Sequence, residues 1–259
     1  MSHHIIELQD VHYTYPDGTR ALEGISFRVL HGESVGIVGA NGAGKSTLLL
    51  QINGTLMPAR GKIRIGEVVL SKRTARDFRK KIGFLFQDPD DQLFMPTVFE
   101  DVAFGPLHLG WTRENAEEAA VKALEQVGCL DLKDRPPHRL SEGQKRSVSI
   151  ASVISMDPDI LVMDEPSSNL DPRSRRQLIE LLGRFHHSKI LATHDLDLVM
   201  DLCERTILLS MGRIVADGPT LELFADDRLL LENGLERPLS MQGPPLRAGG
   251  RLREGSGGP

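Results

Sequence analysis

The sequence predicts an α/β protein built on a parallel β-sheet flanked by helices. Three observations predict it. The apolar run Ser34-Val35-Gly36-Ile37-Val38 leads into the octamer Gly39-Ala40-Asn41-Gly42-Ala43-Gly44-Lys45-Ser46, and Ser46 to Gln51 then reads as helix. Two further apolar runs end in polar residues: Ile160 to Met163 in Asp164-Glu165, and Lys189 to Thr193 in His194. Helical stretches separate and follow these runs, from about Pro172 to Phe185 and from Asp195 to Leu202, and such alternation is the mark of a parallel sheet.

The remaining elements follow in chain order. Ile6, Leu8 and Val11, then Ile25, Phe27 and Val29, alternate on either side of the turn signal Pro16-Asp17-Gly18, so the first 33 residues read as β structure. Lys62 to Leu70, broken by Gly66, reads as a hairpin, and Ile82 to Phe86 as a strand ending at Gln87. Thr112 is a candidate N-cap for a one-sided helix carrying Ala116, Ala119, Ala120, Ala123, Leu124 and Val127. Pro136-Pro137 breaks the chain. A second helix starts at Ser141, carries Val148, Ile150, Ala151, Val153 and Ile154, and stops at Pro158. Thr206 to Leu209 and Arg213 to Ala216 form a hairpin around Met211-Gly212. Residues 234–259, rich in Gly, Pro and Arg, read as a flexible tail after a domain spanning 1–233. No internal repeat is visible, so the chain holds one such unit.

With 259 residues, 40% hydrophobic and 26% charged, the composition is that of a globular protein with a sizeable core. A formal net charge of -5 gives no electrostatic case for nucleic acid as a partner. No stretch approaches the roughly 18 apolar residues of a membrane span. Met1-Ser2-His3-His4 opens no secretory signal, which places the chain in the cytosol. Cys129 and Cys203 are expected as reduced, buried thiols, and the nine histidines as solvated or structural ones rather than metal ligands.

The octamer fits the phosphate-binding pattern G-x-x-x-x-G-K-[ST]. Its glycines let the backbone curl so that N–H groups face an anion, Lys45 reaches the β- and γ-phosphates, and Ser46 suits Mg²⁺. The ligands so named are a nucleoside triphosphate and Mg²⁺. Asp164, at the end of a buried strand, is placed to hold the magnesium shell, and Glu165 to orient or deprotonate an attacking water. Gln87 ends its strand where an amide reaches water or Mg²⁺, and His194 ends a strand where open α/β sheets face their ligand. Ser141 with Gln144 has the spacing of a capping box, yet a serine at a helix N-terminus is also an anion site; spacing does not decide between them.

These residues resemble the nucleotide-binding subunit of ABC transporters, over about residues 5 to 225. Gly39 to Ser46, with Thr47 next, match Walker A, and Ile160 to Asp164 match Walker B with Glu165 as catalytic glutamate. Leu140-Ser141-Glu142-Gly143-Gln144 matches the signature loop, Gln87 the Q-loop, His194 the switch histidine and Ser168 to Asp171 the D-loop. Tyr15 falls where the family places an aromatic on adenine. Phe86 to Phe94, Glu100 to Pro106 and Tyr15 to Gly18 resemble, more finely, the ATPase of energy-coupling-factor (ECF) importers of the cobalt and nickel group.

The resemblance implies a P-loop NTPase with a RecA-like core, an N-terminal antiparallel β subdomain and an inserted α-helical subdomain at about 88–157. It implies ATP hydrolysis by Glu165, His194, Lys45 and Gln87, with Mg²⁺ on Ser46, Gln87 and Asp164. ATP contacts are expected from Tyr15, Gly39, Asn41, Gly42, Ala43, Gly44, Lys45, Ser46 and Thr47. Ser141, Gly143, Gln144 and Asp171 are expected to complete the site of a second copy, in a homodimer or pseudo-dimer. The expected setting is the cytoplasmic face of the inner membrane, peripheral, docked through Gln92, Leu93 and Phe94 on membrane-embedded ECF transmembrane and substrate-binding subunits. The expected cargo is cobalt or nickel, with a vitamin of the biotin type as alternative. A soluble ABC ATPase of DNA repair or translation fits less well, because neither the long heptad insertion nor the second cassette is present. A P-loop kinase would leave Leu140 to Gln144 unexplained. One departure stands out: the family usually has Gly where this chain has Glu142. The expectation is that Glu142 points to solvent.

Overall fold

Strands and helices sort into two sheets and one helical lobe. The computed structural model describes residues 4–185 and 187–242. In chain order the elements are β1 (His4–Thr14), β2 (Arg20–Leu30), β3 (Ser34–Val38), α1 (Lys45–Ile52), β4 (Arg60–Ile65), β5 (Val68–Val69), α2 (Ala75–Arg79) and β6 (Ile82–Leu85). Then come α3 (Val98–His108), α4 (Arg113–Gln126), α5 (Glu142–Ile154), β7 (Ile160–Asp164), α6 (Pro172–Gly183), β8 (Ser188–Ala192) and α7 (Leu196–Leu202). The chain closes with β9 (Arg205–Ser210), β10 (Arg213–Pro219), α8 (Thr220–Ala225) and α9 (Asp227–Glu232).

The first sheet is antiparallel, in the order β2-β1-β4-β5. The second has the order β10-β9-β3-β8-β7-β6; β9, β3, β8, β7 and β6 run parallel and β10 pairs antiparallel at the edge. Period-two side-chain alternation explains how one strand serves two cores. Ile160 and Val162 of β7 enter the core shared with the antiparallel sheet, while Leu161 and Met163 enter the core under α6 and α7. Helix α1 is sandwiched in the first core, with Leu48, Leu49 and Ile52 fully buried.

Helices α3, α4 and α5 enclose a third, separate core that includes Val98, Val102, Ala120, Leu124, Val148 and Ala151. Thr112 caps α4 by accepting from Asn115 N, and Ser141 caps α5 with both halves of the capping box formed. Helix α3 had no clear period in the sequence, because Gly105 and Pro106 interrupt its apolar face. Thr97 caps it and accepts from Glu100 N. Inside it, Asp101 is buried and its Oδ1 accepts from Phe94 N and Met95 N, both at 3.0 Å; burial pushes its carboxyl pKa up. Trp111, the chain's one tryptophan, follows α3 at the surface, and its backbone N donates to Pro106 O at 3.1 Å.

The composition change at Gly234 overstates the tail. Residues 234–242 pack: Leu235 and Met241 join the core under α7, and Leu239–Met241 form a 3₁₀ turn. Asp197 on α7 holds this segment, accepting from Leu239 N at 2.9 Å, from Ser240 N at 3.0 Å and from the Ser240 hydroxyl. The rest of the expected tail, 243–259, lies outside the described residues. Replacing Asp197 with Ala removes a charged acceptor from three donors and is expected to cost about 1–2 kcal/mol. Urea unfolding measures the loss, and amide exchange at Leu239 and Ser240 should quicken beyond that at α6.

Candidate functional site

The octamer turns between β3 and α1 as its glycines require. Gly44 caps α1 at φ 104°, a left-handed backbone that disfavours side chains, and no side chain caps the helix there. The N-terminal amides of α1 are thus left for a ligand, which is the make-up of a phosphate site. At Gly39 a Cβ would fall 2.2 Å from the Leu209 carbonyl oxygen, so the loop's entry passes too close to β9 for any side chain. Lys45 is buried, and its ammonium donates to Gly39 O at 2.8 Å and Ala40 O at 3.4 Å. The backbone N of Ala43 donates to Ala40 O and its carbonyl accepts from Gly212 N, so Ala43 braces the loop.

Two acidic residues face the loop from β7. Asp164 faces the Ser46 hydroxyl, and its Oδ1 is buried and finds no partner among the described residues. Burial pushes the Asp164 pKa up and the Glu165 carboxylate adds to this, while the Ser46 hydrogen bond and Lys45 oppose it. Glu165 follows at φ 45°, a strained backbone for a glutamate. Its backbone N donates to Ala192 O at 2.8 Å. Its Oε2 accepts from Thr193 Oγ1 at 2.8 Å and from His194 N at 3.3 Å, and lies 2.9 Å from His194 Nδ1. Thr193 is fully buried, and its Oγ1 also accepts from Asp195 N at 3.0 Å. Nothing in the sequence marked Thr193 apart from its place before His194.

One cleft of about 520 Å³ gathers Tyr15, Asn41, Gly42, Gly44, Lys45, Ser46, Thr47, Gln87, Glu165 and His194. The Tyr15 hydroxyl is 2.9 Å from Thr47 Oγ1, which fixes the ring at the mouth, and Tyr13 meets it edge-on at 5.0 Å. Thr19, Arg20 and Ala21 line the same cleft and were not singled out in the sequence; they follow the Tyr15-Pro16-Asp17-Gly18 turn, which is the signal that could have found them. Ser46 hydroxyl, Asp164 carboxylate and Gln87 amide offer only oxygen ligands toward a metal, and Asp164 Oδ1 lacks a partner; both observations fit a hard cation such as Mg²⁺.

Ser141, Gly143, Gln144 and Asp171 lie elsewhere. They line a second cleft of about 790 Å³ between α5 and α6. The capping box uses the Ser141 oxygen as an acceptor for Gln144 N at 3.3 Å, while Gln144 Oε1 accepts from Ser141 N at 3.0 Å. The capping-box reading is thus observed, and the Ser141 O–H is left free to donate at an exposed helix N-terminus. Asp171 caps α6 and accepts from Arg173 N, Ser174 N and Ser174 Oγ; the Ser174 bonds lower its pKa. Glu142 is half exposed, 3.4 Å from Lys145 Nζ, and so faces solvent as expected. Of the expected docking residues only Phe94 is exposed. Leu93 is core, and the Gln92 amide is spent on α5, donating to Ser149 O at 2.8 Å and Ser152 Oγ at 2.9 Å.

This is the architecture of an ATP-binding cassette, a P-loop fold with a helical lobe set into an α/β core. The chain belongs to the ABC transporter family, whose profile matches residues 22–168. A relative from Geobacter sulfurreducens, whose name goes no further than an ABC transporter ATP-binding protein, is 60% identical over 246 residues, spanning 95% of this chain and 99% of its own. The energy-coupling factor transporter ATP-binding protein EcfA of Methanothermobacter thermautotrophicus is 45% identical over 90% of this chain and 77% of its own. Among solved structures, CbiO1 of Clostridium perfringens, part of the ABC transporter complex CbiONQ, superposes with TM-score 0.79 at 36% identity, over 89% of this chain and 94% of that one. A dimeric cassette in a post-hydrolysis state with ADP and Pi superposes with TM-score 0.75 at 26% identity, over 83% of this chain and 98% of that one. The chain is therefore an ATP-hydrolysing subunit of an ABC transporter, a class that dimerises and works with membrane components. Among the described residues no helix is long and apolar enough to cross a membrane.

A buried carboxylate with a raised pKa binds a proton more tightly folded than unfolded, so the fold weakens as pH rises from the ordinary carboxyl pKa through the raised one. Asp164→Asn is therefore expected to raise the melting temperature of the nucleotide-free chain at pH 7, with the gain fading as pH falls toward 4. Thermal unfolding across that range measures it, and Mg²⁺-dependent ATP turnover should be lost in the same variant.

Proposed function

We propose that this chain energises uptake of a transition-metal cation, cobalt or nickel, as the ATPase of an ECF-type transporter. The observation that carries the reading is the block Phe86 to Phe94 after β6, together with likeness to CbiO1 of the CbiONQ complex. The relatives named EcfA share the ECF class but name no cargo, and uptake of a vitamin of the biotin type is the second reading. In this reading residues 1–233 form the cassette, with 234–242 packed onto it, and about 88–157 its helical subdomain, and the chain sits on the cytoplasmic face of the membrane.

The site residues then divide the work. Tyr15 stacks on adenine, and Gly39 to Thr47 wrap the phosphates with main-chain donors. Lys45 leaves the Gly39 and Ala40 carbonyls for the β- and γ-phosphates. Mg²⁺, held by Ser46, Gln87 and Asp164, would supply charge neutralisation on the phosphates. Glu165 takes up the attacking water's proton, and His194 both orients Glu165 and donates toward the γ-phosphate. Ser141, Gly143, Gln144 and Asp171 serve the nucleotide of a second copy. Catalysis rests on positioning and on charge stabilisation of the transferred phosphoryl group.

Membrane subunits dock on the helical lobe. Phe94 is 63% exposed and packs edge-on against Phe104 at 5.0 Å, and Phe104 stacks on His108. This ring cluster replaces Gln92 and Leu93 as the contact.

Glu165→Gln is expected to keep ATP binding and lose at least about 100-fold in turnover. Phosphate release and nucleotide affinity, measured side by side, check it; normal turnover would remove Glu165 from its role. Cells expressing the chain with its membrane partners should take up Co²⁺ or Ni²⁺, and the Glu165→Gln cells should not. Uptake of biotin in place of either metal would overturn the cargo assignment.

A further inference from the structure

The segment Phe86–Gln92, which carries Gln87, is gripped along its length by α5. Arg146 Nη1 donates to Phe86 O at 2.7 Å and Nη2 to Gln87 O at 2.5 Å. Lys145 Nζ lies 2.7 Å from Asp90 Oδ1. Gln92 donates to Ser149 O and Ser152 Oγ, and its Oε1 accepts from Phe86 N at 3.3 Å. Positions 145, 149 and 152 fall on one stripe of the helix, with 146 beside it. Ser141 caps the same helix.

Arg146 is the unusual member. It is 3% exposed, and its guanidinium contacts two main-chain carbonyls. Burial lowers its pKa, while the carboxylates of Asp88 and Glu142 oppose that shift. Its Nε has no partner among the described residues. A side chain that only filled space at this depth would be apolar, because desolvating a cation is costly. The rigid fork of the guanidinium does something an apolar group does not. The two carbonyls belong to the peptide planes on either side of Gln87, so fixing both fixes the backbone angles of Gln87 itself.

We propose that Arg146 is a positioning residue for Gln87, locking it to α5 so that Gln87 in this chain's cleft and Ser141, offered to another copy, shift as one body. The coupling rests on the reading of Gln87 and Ser141 as nucleotide contacts; the lock itself does not. Glu142 then has a local use, since its charge lies near both Lys145 and Arg146.

Amide hydrogen exchange on the full chain tests both parts, in the wild type, Arg146→Met, Arg146→Lys and the surface variant Asp90→Asn. Without nucleotide, amides of 86–92 should exchange about tenfold faster in Arg146→Met, and by a smaller factor in Arg146→Lys and Asp90→Asn, with 147–154 unchanged. Unchanged exchange at 86–92 in all three variants overturns the lock. Where Arg146→Met also loosens 147–154, the other two variants decide by the same criterion. With Mg²⁺ and ATP, the wild type should protect 86–88 and 141–144 together, and Arg146→Met should protect 141–144 alone. In that variant ATP affinity should stay within about twofold while kcat falls about tenfold. Joint protection in Arg146→Met overturns the coupling. Nucleotide binding to the wild type with neither segment protected overturns the reading of Gln87 and Ser141 instead, and the nucleotide-free comparison still judges the lock.

Discussion

Parallel pairing of β3, β8, β7 and β6 is the constraint on which the rest depends. Parallel neighbours end at the same edge of a sheet, so whatever follows each strand is delivered to one place. Here that edge receives Gly39 to Ser46 after β3, Thr193 and His194 after β8, Glu165 after β7 and Gln87 after β6. The register is close: Ile37 and Asp164 both stand opposite Ala192, and Leu85 stands opposite Met163. No long side chain is needed to bring the reacting groups together, because the backbone has done so.

The same order leaves something out. The helical lobe enters between β6 and β7, which carries Ser141 away to a different cleft from Lys45. A single chain thus places the Lys45 loop in one cleft and the exposed Ser141 helix start in another. Under the proposed roles, pairing of two copies would bring these two faces together. Glu142 does not spoil the exposed face, since Lys145 lies close enough to balance its charge.

How much of this was written in the sequence depends on range. The octamer, Asp164-Glu165, His194 and the Ser141–Gln144 box were legible because each is a local pattern tied to a strand end or a helix start. Helix α3 was not, since Gly105 and Pro106 break its period and only tertiary packing of Val98 and Val102 rescues it. Gln92 and Leu93 looked like surface contacts in a polar stretch, yet Leu93 joins the core of the helical lobe and the partners that hold Gln92 lie on α5, more than fifty residues on. Thr193, Arg146 and the packing of 234–242 were invisible for the same reason: each depends on a neighbour distant in sequence.

Trp111 adds a practical consequence. It is the chain's single indole, and it stands at the surface just past α3 while both sheets contain none. Ultraviolet emission from this polypeptide near its red edge therefore originates from one spot on the helical lobe. The molecule comes supplied with an optical gauge of that lobe's surroundings, free of any attached dye.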